Sequence, residues 1–261
     1  MINTIFRYRS FIFSSIKREF QLKYSQSLLG SFWAVINPLA MIFVYTVIFS
    51  QVMRAKLPGA DSSFAYSIYL CAGVIAWGLF SEIMMRCVSI FIDNGNLMKK
   101  INFPRICLPL IVIGSAILNF SIIFSLFSLF LLIIDFTPGL LFFWVIPLLL
   151  IQILFSAGLG VLLGILNVFF RDIGQLVGVC IQFWFWFTPI VYPVSIIPNE
   201  LKGLLVFNPM FHIIKGYQDI FMNRVSPDMF GVSIVGVVTL LICFFTLRLY
   251  RKHIGEVVDE L

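Results

Sequence analysis

Between Ile106 and Ile134, and again between Leu141 and Val168, the chain carries no charged side chain. Each run is longer than the roughly 20 apolar residues a helix needs to cross the hydrocarbon core of a bilayer. Four further segments qualify or nearly do: Phe32 to Met53, Tyr66 to Met85, Val177 to Tyr192 and Met229 to Leu249. The fifth in chain order, Val177 to Tyr192, is short and ends in breaks at Pro189 and Pro193. With 61% hydrophobic and 11% charged residues and a mean hydropathy of +1.03, the composition lies far from that of a soluble domain. The expected fold is an all-α integral membrane protein with six transmembrane helices, a single domain over residues 1–261.

Charge placement sets the expected orientation. Of the 18 lysines and arginines, 13 fall on one side of the six segments and five on the other, Arg54, Lys56, Lys202, Lys215 and Arg224. The positive-inside rule then places both termini in the cytoplasm, which an even number of spans requires. The basic residues sit between apolar stretches rather than on one solvated face, so the net charge of +6 argues for topology and against nucleic-acid binding. The first apolar segment is long and lacks a small-residue cleavage site, so it reads as a retained span and not a signal peptide.

Two segments outside the spans have helical periodicity. Tyr8, Ile12, Ile16, Phe20 and Tyr24 recur every four residues, with Lys17, Arg18 and Lys23 around the rest of the surface. Residues 1–30 are therefore expected to hold an amphipathic helix at the cytoplasmic membrane surface, ahead of the spans in 32–249 and a cytoplasmic tail at 250–261. From Pro193 to Pro227 the chain is apolar in short pieces. Asn208 is placed to cap a helix whose first residue is Pro209, with Met210, Ile213, Ile214, Tyr217, Ile220 and Phe221 on one stripe. Two helices too brief to cross the bilayer are expected to form a re-entrant hairpin on the outer side, between spans five and six.

Enzyme constellations are scarce. There is no GxxxxGK[ST] phosphate loop, no GxSxG elbow, and the histidines, His212 and His253, have no ligand-spaced partner. The five cysteines are dispersed with no CxxC pair, which supports neither a disulfide framework nor a zinc site. No catalytic residue, metal or cofactor is expected in this chain. Glu82 is the most nearly intramembrane acid, and Arg86, four residues on, is its expected helical partner; the two form a candidate gating ion pair. Lys99, Lys100 and Arg105 cluster in one cytoplasmic loop that would suit a pyrophosphate, whose charge calls for several cationic donors. Gly158, Gly160 and Gly164 include a small-xxx-small spacing, which favours close helix packing, with a dimer interface as the alternative.

The run FWFWFTPIVY, from Phe183 to Tyr192, places five consecutive aromatic residues ahead of a proline. Rings of this kind collect at a membrane edge, where they form a belt. They also suit a conduit, because five rings in a row point all around a helix and at least one must face inward. A flat apolar wall lets sugar rings slide without gripping them. Both readings stand on the sequence.

Taken in order, YSQSLLGSFWAVINPL at Tyr24 to Leu39, NFPR at Asn102 to Arg105, FFRDIGQ at Phe169 to Gln175, FTPIVYPVSIIP at Phe187 to Pro198 and FNPMFHIIKGYQDI at Phe207 to Ile220 resemble the permease subunit of ABC-2 type polysaccharide exporters. That family moves lipid-linked O-antigen, capsule or teichoic acid chains across the inner membrane of bacteria. The resemblance implies a channel formed with a second copy of the chain and powered by two copies of a separate ATP-binding subunit, where ATP and Mg would be bound. It implies a gate near the inner leaflet, carried onto Lys99, Lys100, Phe103 and Arg105, and a contact between the N-terminal helix and the ATPase. It also implies an aromatic channel wall, carried onto Trp33, Phe183, Trp184, Phe185, Trp186, Phe187 and Tyr192.

The expected function is export of undecaprenyl-pyrophosphate-linked polysaccharide, O-antigen first, with capsule or teichoic acid export as the alternative within the family. A drug or small-lipid exporter of the same fold is disfavoured by the extended aromatic run. From a different class, a membrane-embedded glycosyl or acyl transferase would need a catalytic group near the leaflet, and only Glu82, Asp93 and Asp172 are placed for that.

Overall fold

The structure, a computed structural model, describes residues 6–24, 30–48, 64–100 and 103–260. Among these residues it is built from helices alone. In chain order they are α1 (Arg9–Tyr24), α2 (Trp33–Thr46), α3 (Ala65–Asp93), α4 (Gly95–Lys100), α5 (Cys107–Ile133), α6 (Val145–Phe169), α7 (Asp172–Trp186), α8 (Asn199–Leu205), α9 (Pro209–Gln218) and α10 (Met229–Glu260). A short 3-10 turn, Gly139–Trp144, leads into α6, and a π-helical turn, Asp219–Asn223, prolongs α9.

Among the described residues, four helical stretches are long and apolar enough to cross a membrane: Ala65–Asp93, Cys107–Ile133, Gly139–Phe169 and Met229–Val257. Helix α2 is apolar but shorter, and the far end of its apolar segment, residues 49–53, lies outside the described residues together with Arg54 and Lys56. Helix α7 begins five residues before the apolar segment does, with Asp172 in its first turn, where a carboxylate is favoured by the helix dipole. It stops at Trp186, ahead of Pro189, because a proline disfavours helical backbone in the residue before it.

One helix organises the rest. In α3, 72% of the apolar window is buried, against 22%, 33% and 28% for the other three long stretches. Helix α3 packs against α5, α6, α7 and α9, and α6 in turn packs against α10. Small residues make the α3–α6 approach close. A Cβ built on Gly164 would stand 2.4 Å from the Cys87 carbonyl oxygen, and one on Gly160 would stand 2.7 Å from the Cys87 Cβ. Gly158 points the other way, to Cys243 and Ile242 of α10. The glycine spacing thus serves contacts within the chain.

Helix α1 lays Ile12 and Ile16 into the fold, as its four-residue period predicts. At the other end of the sequence, α10 runs unbroken to Glu260, so residues 250–260 continue the last long helix. Tyr250 and Val257 are buried and hold that extension in place.

Candidate functional site

The aromatic run is divided by the packing of α7. Trp184 and Phe185 turn into the fold, where the Trp184 ring meets Phe80 at 5.2 Å edge-on and Phe185 meets Trp77 at 5.7 Å. Phe183, Trp186 and Phe187 turn outward, with 62%, 58% and 69% of their surface exposed. A helix with an aromatic ring at every position must send some rings each way, and here the apolar face of α3 decides which. Tyr192 donates its hydroxyl to the Trp186 carbonyl at 2.5 Å, which folds the chain back toward the exposed rings. Trp33 is partly exposed on α2.

Beyond Trp186 the backbone leaves the helix, and its carbonyls find other donors. Tyr69 of α3 reaches the carbonyls of Pro189 and Tyr192, each at 3.0 Å, and Tyr66 donates to the carbonyl of Val191. Gln218 donates to the Pro189 carbonyl at 3.1 Å. A non-helical stretch among apolar helices needs such partners, since an unpaired carbonyl out of reach of water is costly.

Asn208 joins this stretch to α9. Its Oδ1 accepts from the Met210 backbone N–H at 3.0 Å, which is the expected helix cap, and from the Trp184 indole Nε1 at 2.8 Å. Its Nδ2 donates to Thr188 Oγ1 at 3.0 Å. Helix α9 is buried along the stripe predicted for it, with Met210, Ile213, Ile214, Tyr217, Ile220 and Phe221 almost fully covered. Trp186, Phe187, Tyr192, Leu204 and Phe207 border a mostly apolar groove of about 720 Å³.

The basic loop is tied at two points near its C-terminal end. Phe103 is buried against the ring of Phe11 from α1, centroids 5.6 Å apart. Arg105 donates from Nη1 to the carbonyl of Ile254 in the α10 extension at 3.0 Å. Lys99 is exposed; Lys100 belongs to α4, and its side chain lies outside the described residues, as does Asn102. Of the candidate phosphate ligands, Arg105 therefore also acts as a strut between the loop and α10.

The Glu82–Arg86 pair is present at 3.7 Å, but Arg86 lies closer to a residue the sequence did not single out. Its Nη2 sits 2.7 Å from Glu19 Oε2 of α1. Glu82 accepts from Asn119 of α5 at 2.8 Å. A signal for Glu19 exists: it is the sole acid of α1, three residues after the buried Ile16, in a helix whose other charges are basic.

The profile of the ABC-2 type transporter family matches residues 11–222, which take in the basic loop and the aromatic run. An O-antigen export system permease protein RfbA of Klebsiella pneumoniae is 33% identical over 207 residues, covering 79% of this chain and 78% of its own. The RfbA permease of Myxococcus xanthus is 27% identical over 267 residues, covering 100% of this chain and 99% of its own. The polysialic acid transport protein KpsM of Escherichia coli is 23% identical over 240 residues, 90% of each chain.

Proposed function

Since the chain belongs to the ABC-2 type transporter family, we propose that it is the membrane subunit of an ATP-driven exporter of lipid-linked polysaccharide, with O-antigen on an undecaprenyl pyrophosphate carrier as the substrate. The observation that carries this reading is the likeness to O-antigen export permeases over most of the chain, at up to 33% identity. Two copies form the channel, and two copies of an ATP-binding subunit, which holds ATP and Mg, supply the energy. The protein sits in the inner membrane with six spans, the first including α2 and the fifth being α7 with the stretch that follows it. Both termini are cytoplasmic, and α8 and α9 form the re-entrant hairpin at the outer mouth.

In this reading the pyrophosphate is met at the cytoplasmic loop by Lys99, Lys100 and Arg105, beside the buried ring of Phe103. The sugar chain passes along the aromatic residues. The outward-turned Phe183, Trp186 and Phe187, with Tyr192 and Trp33, offer the wall; Trp184 and Phe185 back it from within the fold. Exposed rings give extended apolar contact without fixing a sugar in one place, which is what a moving polymer requires.

Deletion of the gene in its host, with a glycan-specific label on intact and permeabilised cells, tests this directly. Polymer trapped inside and missing from the surface is the expected result. Unchanged surface glycan would sink the reading, and loss of polymer from both compartments would favour a synthetic enzyme. A finer expectation concerns the wall. Trp186→Ala and Phe187→Ala should each slow export about fivefold, the rate equivalent of ~1 kcal/mol of lost ring contact. Both should leave co-purification with the ATPase unchanged. Full-speed export by both variants would reduce these rings to a membrane belt.

A further inference from the structure

Helix α1 is joined to the long helices at two adjacent points. At the first, Ile16 fills the notch left by Gly114 of α5, where a Cβ would stand 2.3 Å from the Ile16 Cδ1. At the second, one turn further on, Glu19 Oε2 takes the Arg86 guanidinium of α3 at 2.7 Å and the hydroxyl of Ser115 in α5. Arg86 also reaches toward Glu82 on its own helix, at 3.7 Å, and Glu82 is held by Asn119 of α5. These side chains line a cavity of about 290 Å³, with Phe20 and Lys23 of α1 completing its wall.

One guanidinium therefore stands between two carboxylates carried by different helices. Each carboxylate has a second donor from α5, so neither is stranded when the arginine moves to the other. The cavity gives the arginine room to do so. The Glu19 and Arg86 side chains are 40% and 34% exposed. A pair only partly covered is not locked into the core, which makes it a contact that can be exchanged between two arrangements.

Building on the proposed function, we infer that Glu19 is a coupling residue. When the ATP-binding subunit displaces α1, the Glu19–Arg86 contact passes the displacement to α3, and through Ser115 to α5. As α1 withdraws, Arg86 transfers to Glu82, so α3 is released from the interface helix with its arginine still paired, and Glu19 keeps the Ser115 hydroxyl as its donor. Two discrete arrangements of one arginine supply the bistable element that such coupling needs.

The test uses the full complex of permease and ATP-binding subunit in proteoliposomes, with ATP hydrolysis and export of lipid-linked glycan measured in the same vesicles. For Glu19→Gln, export per ATP hydrolysed should fall about tenfold, within the ordinary range of coupling effects. The KM for ATP and co-purification of the two subunits should not change. The charge swap E19R/R86E keeps an ion pair between α1 and α3 but leaves no arginine on α3 to pass to Glu82, so it should restore the transmitted push and recover part of the lost export. Wild-type export per ATP in Glu19→Gln, or a swap that exports no better than Glu19→Gln, overturns the inference. If the single variant fails to assemble, the swap still decides: recovered export supports the coupling role, and export that stays lost overturns it. Absence of ATP-dependent export by the wild-type complex would instead count against the proposed function itself.

Discussion

Gly164→Leu is expected to destroy the folded permease, while Gly78→Ala leaves it intact. The two glycines lie on α6 and α3, but their surroundings differ completely. A Cβ at Gly164 meets the Cys87 carbonyl oxygen at 2.4 Å, with the Val88 oxygen at 3.4 Å; at Gly78 nothing lies within 4 Å. The obstacle at Gly164 is backbone, which cannot rotate away as a side chain can. Relief requires α3 and α6 to part along their length, and α3 is the helix on which α5, α7 and α9 also rest. Overpacking of a tight site costs roughly 1–3 kcal/mol where neighbours can adjust, and this site falls at or above the upper end. Thermal unfolding and size-exclusion profiles of detergent-solubilised protein would read the difference. Equal midpoints for the two variants would show that the α3–α6 approach is not tight.

Asn208→Leu is the second large effect. The substitution removes the cap of α9, which costs about 1 kcal/mol in typical helices. It also strands the Trp184 indole N–H, held at 2.8 Å, and leaves Thr188 without its amide donor. An orphaned donor costs about 1–3 kcal/mol when fully buried, and the Trp184 indole is only partly covered, so the combined loss is expected at ~2–3 kcal/mol. Asn208→Asp separates the parts: the carboxylate still accepts from Met210 and Trp184 but donates nothing to Thr188, and the loss should be smaller. Thermal midpoints of the two variants, with Trp184 emission as a local reporter, would check the order. A leucine variant as stable as the aspartate variant would mean that the side-chain oxygen at position 208 does not hold α7 to α9.

What could be read from the sequence was local. Asn208 and Pro209 announce a helix start because cap and first turn are adjacent residues, and α9 begins where they place it. The long apolar runs announce their helices for the same reason. Helix boundaries set by polar residues were harder: α7 starts at Asp172, ahead of its apolar run, and α10 continues to Glu260 beyond it, held by Tyr250 and Val257. Contacts between distant residues left no periodic trace. Glu19 and Arg86 are 67 positions apart, and nothing near either names the other. The aromatic run hid its own orientation, since rings at every position leave no contrasting face; only the position of Trp77 and Phe80 on α3 sorts Trp184 from Trp186.

Helix α10 has mechanical properties that follow from its length and its fastenings. With 32 residues it is about 48 Å long, well beyond the roughly 30 Å of a hydrocarbon core. Near its middle it bears on α6, where Cys243 and Ile242 press Gly158 and the Thr246 hydroxyl bonds the Gly158 carbonyl at 2.9 Å. Toward one end, Arg105 grips the carbonyl of Ile254. From Cys243 the arms to Ile254 and to Met229 are about 16 Å and 21 Å by the rise of an α-helix. The Met229 end is fastened as well, because the His212 ring of α9 leaves no room for a Cβ at Gly231. A rod held at both tips and seated on α6 between them carries a push at the basic loop as a displacement of the whole helix, felt at α9 as well.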